Sequence, residues 1–153
     1  MRAFYFLFLT ACAFVLLLIF AAPYLAITGH ENISELIHVM FGESCHQLPE
    51  RSFFVYGEKM PVCARCFGIY AGLFTGTLLY PVCGREGVPD SRLLLAALAP
   101  LALDGITQLT GLRESNNLLR LGTGLIFGAI IPYYIIPALE PLLKGFKGFI
   151  NRR

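Results

Sequence analysis

Three cysteines and one histidine stand close together in two short polar stretches of the chain, GESCHQLPER at 42–51 and PVCARCFGIY at 61–70. Cys63 and Cys66 form a CxxC pair, a spacing that lets two thiolates point at one tetrahedral Zn²⁺, and a further Cys or His completes such a site. Because adjacent side chains rarely aim at one point, we predict that Cys45, Cys63 and Cys66 bind the metal. His46 is then the fourth ligand or a neighbour of the ion.

The same cysteine pair also fits a redox function, and the sequence leaves both interpretations open. At the start of a helix, Cys63 and Cys66 are placed as in dithiol oxidoreductases, where the pKa of a thiol is lowered. An oxidising compartment would favour a disulfide between them. Cys12 and Cys83 lie within or at the ends of apolar segments and are interpreted as small hydrophobic residues.

A second polar group lies inside an apolar segment. Asp104 is the single acid of that segment, and Gln108 follows one helical turn later on the same face. A carboxylate within a membrane is costly, so it is a functional-site hypothesis by default. We therefore predict catalytic roles for Asp104 and Gln108. The alternative is a structural salt bridge from Asp104 to Arg120 or Arg65.

The stretch RESNN at 113–117 precedes a helix in which Arg120 and Thr123 share one face. Ser115 or Asn116 is expected to cap this helix, whose free N–H groups favour an anion. The alternative is an ordinary cap with an arginine that reaches to the membrane interface. Arg120 and Glu114 join the predicted catalytic residues. The predicted headgroup-binding residues are Arg51, Arg113, Ser115, Asn116 and Thr123.

The chain as a whole is too apolar for an ordinary soluble domain. Its 153 residues suffice for one domain, and 56% of them are hydrophobic and 14% charged, whereas soluble domains carry about 25% charged residues. A helix needs about 20 apolar residues to cross a membrane, and four segments qualify, at about 3–27, 66–84, 93–112 and 120–140. We predict an all-α bundle of four transmembrane helices that forms one integral membrane domain over residues 1–153.

The first span has an alternative as a cleaved signal peptide, but its apolar run exceeds the roughly 7–15 residues of a signal core. The polar loop at 28–62 that follows it contains a short amphipathic helix. Asn32 followed by Glu35 resembles a capping box at the start of this helix. We expect the helix to lie on the membrane surface. Its predicted apolar face consists of Ile33, Leu36, Ile37, Met40 and Phe41.

Glycines recur every four residues in two of the predicted spans. Gly68, Gly72 and Gly76 lie in the second span, and Gly124 and Gly128 lie in the fourth. Such spacing lets helix backbones approach closely in lipid, where no hydrophobic effect drives helices together. The pattern predicts a closely packed helix contact along these faces.

The distribution of Lys and Arg predicts the orientation. Arg2, the second connection with Arg85 and Arg92, and the C-terminal tail carry seven of the twelve basic residues, so this side is predicted to be cytoplasmic. The Cys/His loop then falls on the extracytoplasmic side of a multi-pass cell-membrane protein. The turn at 113–117 lies at the same face in either orientation, so both polar groups can converge on one site.

Four blocks of the sequence resemble a known family. CHQLPERSFF, PVCARCFGIYAG, DGITQ and ESNNLLRLGTG follow one another in this order between residues 40 and 125 or so. They are similar to the signature blocks of small prokaryotic membrane proteins grouped as domain of unknown function 2085. The resemblance implies that the Cys/His loop, the Asp/Gln helix and the turn before Arg120 form one unit, and it implies no particular activity.

The leading functional hypothesis is a zinc-dependent hydrolase or transferase that acts on an anionic lipid or polyprenyl phosphate at the outer membrane face. Zinc lowers the pKa of a bound water from 15.7 toward about 7. Asp104 or Glu114 would be the base, and Arg113 and Arg120 would hold the headgroup. Three thiolates weaken the metal as a Lewis acid, which favours a structural zinc instead.

Two other function classes remain. One is a thiol-disulfide protein that exchanges electrons with a membrane quinone through Cys63 and Cys66. The other is a small carrier with a structural zinc, in which Asp104, Gln108 and Arg120 line a path. Four helices without an internal repeat are few for a transporter, so a carrier would act as a homo-oligomer. Binding of nucleic acid has no support, because the short basic tail fits a membrane-side anchor.

Overall fold

Helices account for most of the computed structural model, which describes residues 2–84 and 88–139. Four helices are long and apolar enough to cross a membrane, over Phe4–Ile27, Ala64–Cys83, Ser91–Leu109 and Asn117–Leu139. The predicted fold class is therefore confirmed. The elements in chain order are α1 (Arg2–Ile27), α2 (Glu31–Gly42), β1 (Ser52–Val55), β2 (Glu58–Cys63), α3 (Ala64–Cys83), α4 (Ser91–Leu109) and α5 (Asn117–Ile130), after which the helical path turns at Ile131 and continues over 132–139.

Some expectations fall on other parts of the chain. The predicted end of the fourth span at 140, Arg85 and the basic C-terminal tail lie outside the described residues. The prediction of cytoplasmic termini depends on these positions, so the orientation stays a prediction.

The third span ends earlier than predicted because Gly111 turns the chain. Gly111 adopts φ +70, a conformation in which glycine often ends a helix. Its N–H donates to the carbonyl of Gln108, and the N–H of Leu112 donates to that of Thr107. The helix thus ends at Leu109 rather than at 112. Asp104 consequently lies about one and a half turns from the end of α4.

The polar loop contains a two-stranded hairpin that was not predicted. β1 and β2 pair antiparallel, with Phe54 opposite Lys59 and an irregularity between Ser52 and Phe54. The turn at Tyr56 and Gly57 has positive φ at both residues, as the hairpin turn that matches the strand twist requires. The hairpin ends at Cys63, so it fixes the direction in which this cysteine enters α3.

The short helix α2 is present, but it begins differently from the prediction. Gly29 at φ +82 ends α1 and turns the chain directly into α2. His30 is therefore the N-cap and makes no side-chain cap bond, so the capping box at Asn32 and Glu35 does not form. The apolar face divides in two: Ile37 and Phe41 are buried, whereas Ile33, Leu36 and Met40 are exposed. The exposed half suits contact with lipid at the membrane surface.

A small hydrophobic core holds the loop onto the bundle. It joins α1, α2 and β2, and it also includes Cys45, which is 6% exposed. The cysteine is thus held by packing and does not lie in a free loop. The buried members of this core are Ile19, Ala22, Ile37, Phe41, Cys45, Met60 and Val62.

The closest helix contact in the bundle is a glycine seam between α3 and α5, formed by Gly68, Gly72, Gly76, Gly124 and Gly128. A Cβ atom added at Gly72 would lie 2.7 Å from the backbone nitrogen of Ala129, and one added at Gly124 would overlap the carbonyl oxygen of Arg65. Real Cβ atoms do not approach backbone so closely. The close packing predicted from the glycine spacing is therefore confirmed, and the two glycine-bearing spans contact each other.

We expect Gly124→Ala to lower the stability of the bundle by about 1–3 kcal/mol, because the added methyl meets backbone that cannot rotate away. Gly122→Ala is the matched control on the same helix, since a Cβ there has nothing within 4 Å. It should leave stability unchanged or raise it by up to about 1 kcal/mol. Thermal unfolding in detergent, followed by circular dichroism, measures both. Equal midpoints for the two variants would contradict the seam.

Candidate functional site

Three cysteine sulfur atoms meet at one end of the bundle. The Sγ atoms of Cys45, Cys63 and Cys66 all lie within 4.8 Å of one another. Sulfur ligands of a tetrahedral zinc, at Zn–S bonds of about 2.3 Å, are about 3.8 Å apart. The three side chains could therefore hold a metal ion.

Different elements bring the three cysteines together. Cys45 follows α2 and is anchored in the hydrophobic core. Cys63 ends β2 and is the N-cap of α3, and Cys66 lies in the first turn of that helix. The CxxC pair therefore depends on the start of α3, whereas Cys45 depends on the packing of α1, α2 and the hairpin.

The surroundings of Cys63 favour its thiolate form. The backbone N–H of Cys63 donates to the sulfur of Cys45 at 3.2 Å, which holds the two cysteines side by side. Hydrogen bonding from the Cys45 side chain, and then from Cys66, lowers the pKa of the Cys63 thiol. The positive end of the α3 dipole acts in the same direction. A thiolate is the form of cysteine that binds metals.

A cavity of about 170 Å³ adjoins the sulfur atoms. We call it the arginine cavity, because three guanidinium side chains contribute to its wall and no carboxylate of a described residue does. His46 lines the same cavity, but it is exposed and does not join the three sulfur atoms. The residues of the wall that bear on its chemistry are Cys45, His46, Arg51, Cys63, Arg65, Cys66, Gln108 and Arg120.

Asp104 lies beneath this cavity in a salt bridge. Its carboxylate is buried and contacts Arg65 Nη2 through Oδ2 and Arg113 Nη2 through Oδ1, the latter at 2.8 Å. The hydroxyl of the buried Ser115 donates to the carbonyl of Asn116 at 3.4 Å. Among the described residues, the Asp104 carboxylate thus contacts two arginines but does not line the arginine cavity. Glu114, the other predicted base, is exposed and does not line it either.

Arg120 is held without a carboxylate. The residue is 5% exposed, and its Nη1 donates to Asn117 Oδ1 at 2.7 Å. Asn117 in turn donates through Nδ2 to the carbonyl of Ser52 at 3.3 Å, which ties α5 to the hairpin. The Nε atoms of Arg120 and Arg65 are buried and have no hydrogen-bond partner within the described parts of the chain. Both arginines line the cavity, and each has one donor that is unpaired within the described residues.

The remaining predicted headgroup residues have local roles in the structure. Asn116 caps α5, because its side chain accepts from the N–H of Leu119 at 2.7 Å. Thr123 donates its hydroxyl to carbonyls of its own helix and does not line the cavity. Arg51 and Gln108 do line it, in agreement with their expected convergence.

Two residues of the site were absent from the sequence-based site assignments. Arg65 lies between the two cysteines of the CxxC pair, two positions after Cys63 and one before Cys66, and the sequence named it only as an alternative salt-bridge partner of Asp104, which the structure confirms. Asn117 follows the capping residue Asn116, and the sequence pattern at this position indicated only a helix cap. Only the structure shows that Arg65 joins the cavity to Asp104 and that Asn117 orients Arg120.

A hydrogen-bond network fixes the turn after Cys45. Gln47 adopts φ 51, and its side-chain amide donates to the carbonyl of His38 at 2.6 Å. Lys59 Nζ donates to the carbonyl of Gln47 at 2.9 Å. The ring of His38 contacts the carbonyls of Ser34 and Lys59. These bonds lock α2, the turn and β2 together, so His38 supports the site from outside the sulfur cluster.

Comparison with known proteins places this site within a matched family region. Residues 45–134 match the family model described as Predicted membrane protein (DUF2085). An uncharacterized protein of Methanocaldococcus jannaschii is 43% identical over 156 residues, which cover 96% of this chain and 100% of the relative. An uncharacterized protein of Methanothermobacter thermautotrophicus is 45% identical over 96 residues, 61% of this chain and 85% of the relative. No solved structure matches the chain.

The Asp104 salt bridge supplies a test of the site's architecture. We expect Asp104→Asn to cost about 3–5 kcal/mol of stability, because it leaves Arg65 and Arg113 without their counter-charge. Glu50→Gln is the control, since Glu50 and Arg51 form an exposed pair at 3.9 Å that is worth at most about 1 kcal/mol. Denaturant titration in detergent measures both variants. An Asp104→Asn protein as stable as the control would show that the pair does not organise this end of the bundle.

Proposed function

This chain belongs to the DUF2085 family of predicted membrane proteins, and from its site we propose a zinc-dependent hydrolase that acts on an anionic lipid at the membrane surface. One observation carries the proposal: the three clustered sulfur atoms and three arginines share the wall of one cavity at an end of a multi-pass bundle. A metal and an anion could therefore be bound side by side.

The donor set fits zinc. Soft thiolates favour Zn²⁺, Cu⁺ or iron–sulfur clusters over Mg²⁺ and Ca²⁺. Three protein ligands with a fourth position for water or substrate are the usual arrangement of catalytic zinc, whereas structural zinc has four protein ligands. Cys45, Cys63 and Cys66 provide three, and His46 is not among the clustered atoms. This count favours the catalytic form over a structural zinc.

Zinc bound here would supply an acidified water, since zinc lowers the pKa of its water from 15.7 toward about 7. Three thiolates oppose this effect by donating charge, yet zinc on three cysteines does activate water in some nucleobase deaminases. Arg65 and Arg120 place positive charge beside the sulfur atoms, which offsets part of that donation. Chemically, one water adds to the ester centre of the headgroup, the bond to the lipid alcohol breaks, and the water's proton leaves on the alcohol.

Residues of the chain itself bind the anionic group and hold the arginines in position. Arg51 and Arg120 bind the anionic group, and Gln108 donates to it from the opposite side of the cavity wall. Asp104 holds Arg65 in position and is not assigned as the base, because each of its carboxylate oxygens already accepts from an arginine. We place this end of the bundle at the outer leaflet, because the opposite side is predicted to carry seven of the twelve Lys and Arg residues.

Metal content tests the proposal directly. We expect detergent-purified protein to contain about one zinc per chain, measured by mass spectrometry of the metal with free thiols counted in the same sample. Cys63→Ser/Cys66→Ser should lose the metal, because one thiolate cannot hold it. Cys12→Ser/Cys83→Ser is the control with the same number of thiols removed, and it should keep the zinc.

The same samples separate the redox alternative. Wild-type protein that contains no metal, and whose Cys63 and Cys66 resist alkylation until they are reduced, would contradict the zinc enzyme. That result would favour the thiol-disulfide function instead.

A further inference from the structure

We infer that the arginine cavity binds a phosphate group with two negative charges, either the end of a lipid phosphate monoester or free phosphate. This inference deepens the proposed function, because it names the ligand of the same cavity. It does not depend on zinc for its contacts, since the groups that would bind the anion are arginines.

Arg120 provides the first argument. Its guanidinium is almost completely buried, and buried charges are normally paired with an opposite charge or bind an ion. In the described parts of the chain it forms no ion pair within 4.0 Å, its Nη1 meets only the neutral amide of Asn117, and its Nε has no hydrogen-bond partner. An anion in the cavity would compensate this buried charge.

The neighbouring arginines provide the second argument. Arg51 and Arg65 line the same cavity as Arg120 and repel it, and the more weakly acting Asp104 and Cys63 offset part of this repulsion. Three cations that converge without a ligand oppose one another, whereas an oxyanion between them would be attracted to all three. Planar guanidinium groups bind phosphate oxygens in pairs of parallel hydrogen bonds. The arginines repel one another in the free protein, and each of them attracts the anion in the complex.

The charge of the site selects the charge of the ligand. Arg51, Arg65, Arg113 and Arg120 are four cations, and Asp104 is the buried carboxylate that pairs with two of them. Glu50 pairs with Arg51 at 3.9 Å only at the exposed surface, where solvent screens the pair, so Glu50 is left out of the charge count. Zinc with three thiolates has a net charge of minus one. Two positive charges remain, and a phosphate monoester carries about −1.5 to −2 at pH 7. A phosphodiester or carboxylate, with a single charge, would leave one cation uncompensated.

The size of the cavity limits what part of the ligand enters it. Pockets for drug-sized ligands occupy about 300–1,000 Å³, whereas this cavity has about 170 Å³. A phosphate group and a few waters fit such a volume, at about 30 Å³ per water, but an acyl chain does not. The rest of a lipid ligand would lie outside the cavity, along the bundle.

Isothermal titration calorimetry in a non-ionic detergent tests the inference. Inorganic phosphate and dihexanoyl phosphatidic acid are the two probes, and dihexanoyl phosphatidylcholine is the diester control. We expect saturable binding of at least one of the phosphate-monoester probes and affinity at least tenfold lower for the diester. Equal binding of the monoester and diester lipids, or no binding of either monoester probe, would overturn the inference.

Arginine variants tie the binding to this cavity. Arg120→Gln should weaken binding at least tenfold. Arg120→Lys should weaken it less, because lysine keeps the positive charge and loses only the paired N–H donors of the guanidinium. Arg51→Gln, in a partly exposed turn, should weaken binding even if Arg120 variants fail to fold. Arg92→Gln removes a cation whose side chain is 91% exposed at the other end of α4, and it should bind as the wild type does. Equal affinity of Arg51→Gln and Arg92→Gln would overturn the inference.

A further arm keeps this inference separate from the proposed function. Cys63→Ser/Cys66→Ser protein without zinc should still bind the monoester, since all the arginines remain. Binding of phosphate by a wild-type protein that contains no zinc would support the anion site and contradict the zinc enzyme. Stoichiometric zinc without binding of either monoester probe would support the zinc site and contradict the anion site. Binding of free phosphate but not of the phosphatidic acid would support the anion site and contradict a lipid substrate.

Discussion

The backbone contact between α3 and α5 is the constraint on which the site depends. Helix axes in ordinary packing are about 8–10 Å apart because side chains separate them, but along the glycine seam backbone meets backbone. The contact reaches the end of the bundle that holds the site, where Gly124 packs on the carbonyl of Arg65 and Gly68 packs on Leu121. Cys66 lies in the first turn of α3, and Arg120 lies in the first turn of α5. The seam therefore sets the distance between the sulfur atoms and the buried guanidinium.

The second half of the site is anchored independently of the seam. Cys45 belongs to a core formed by α1, α2 and β2, and the hydrogen bonds of Gln47 and Lys59 fix the turn that follows it. A metal on the three cysteines would consequently join two separately packed parts of the molecule. Its binding free energy would add to the stability of the fold, as it does in small metal-binding domains.

Short, local sequence patterns explain which features the sequence predicts well. The length of the apolar runs predicts the number of spans, and residue spacing predicts the glycine contact and α2. An amide next to free N–H groups predicts the cap at Asn116. The cysteine cluster followed from ligand spacing. The hairpin did not, since Pro61 interrupts its second strand and Tyr56 adopts a positive φ that its side chain disfavours. Asn117 could not be assigned either, because its partner Ser52 lies 65 residues away in the sequence. The salt bridge of Arg65 to Asp104, 39 residues away, was one of the alternatives that the sequence left open, but the place of Arg65 in the cavity wall was not predicted.

The contrast between Asp104 and Asn117 distinguishes a structural contact from a binding group. Both hold an arginine, but the carboxylate cancels much of the charge of Arg65, whereas the amide fixes the direction of Arg120 and cancels none of its charge. Burial of that uncancelled charge costs free energy, and a protein that needed only stability would be better served by an apolar residue. The cost is explained if the guanidinium is kept charged and oriented for an anion that enters the cavity from outside. Arg120 is therefore the residue whose environment most directly connects the packing of this bundle to its chemistry.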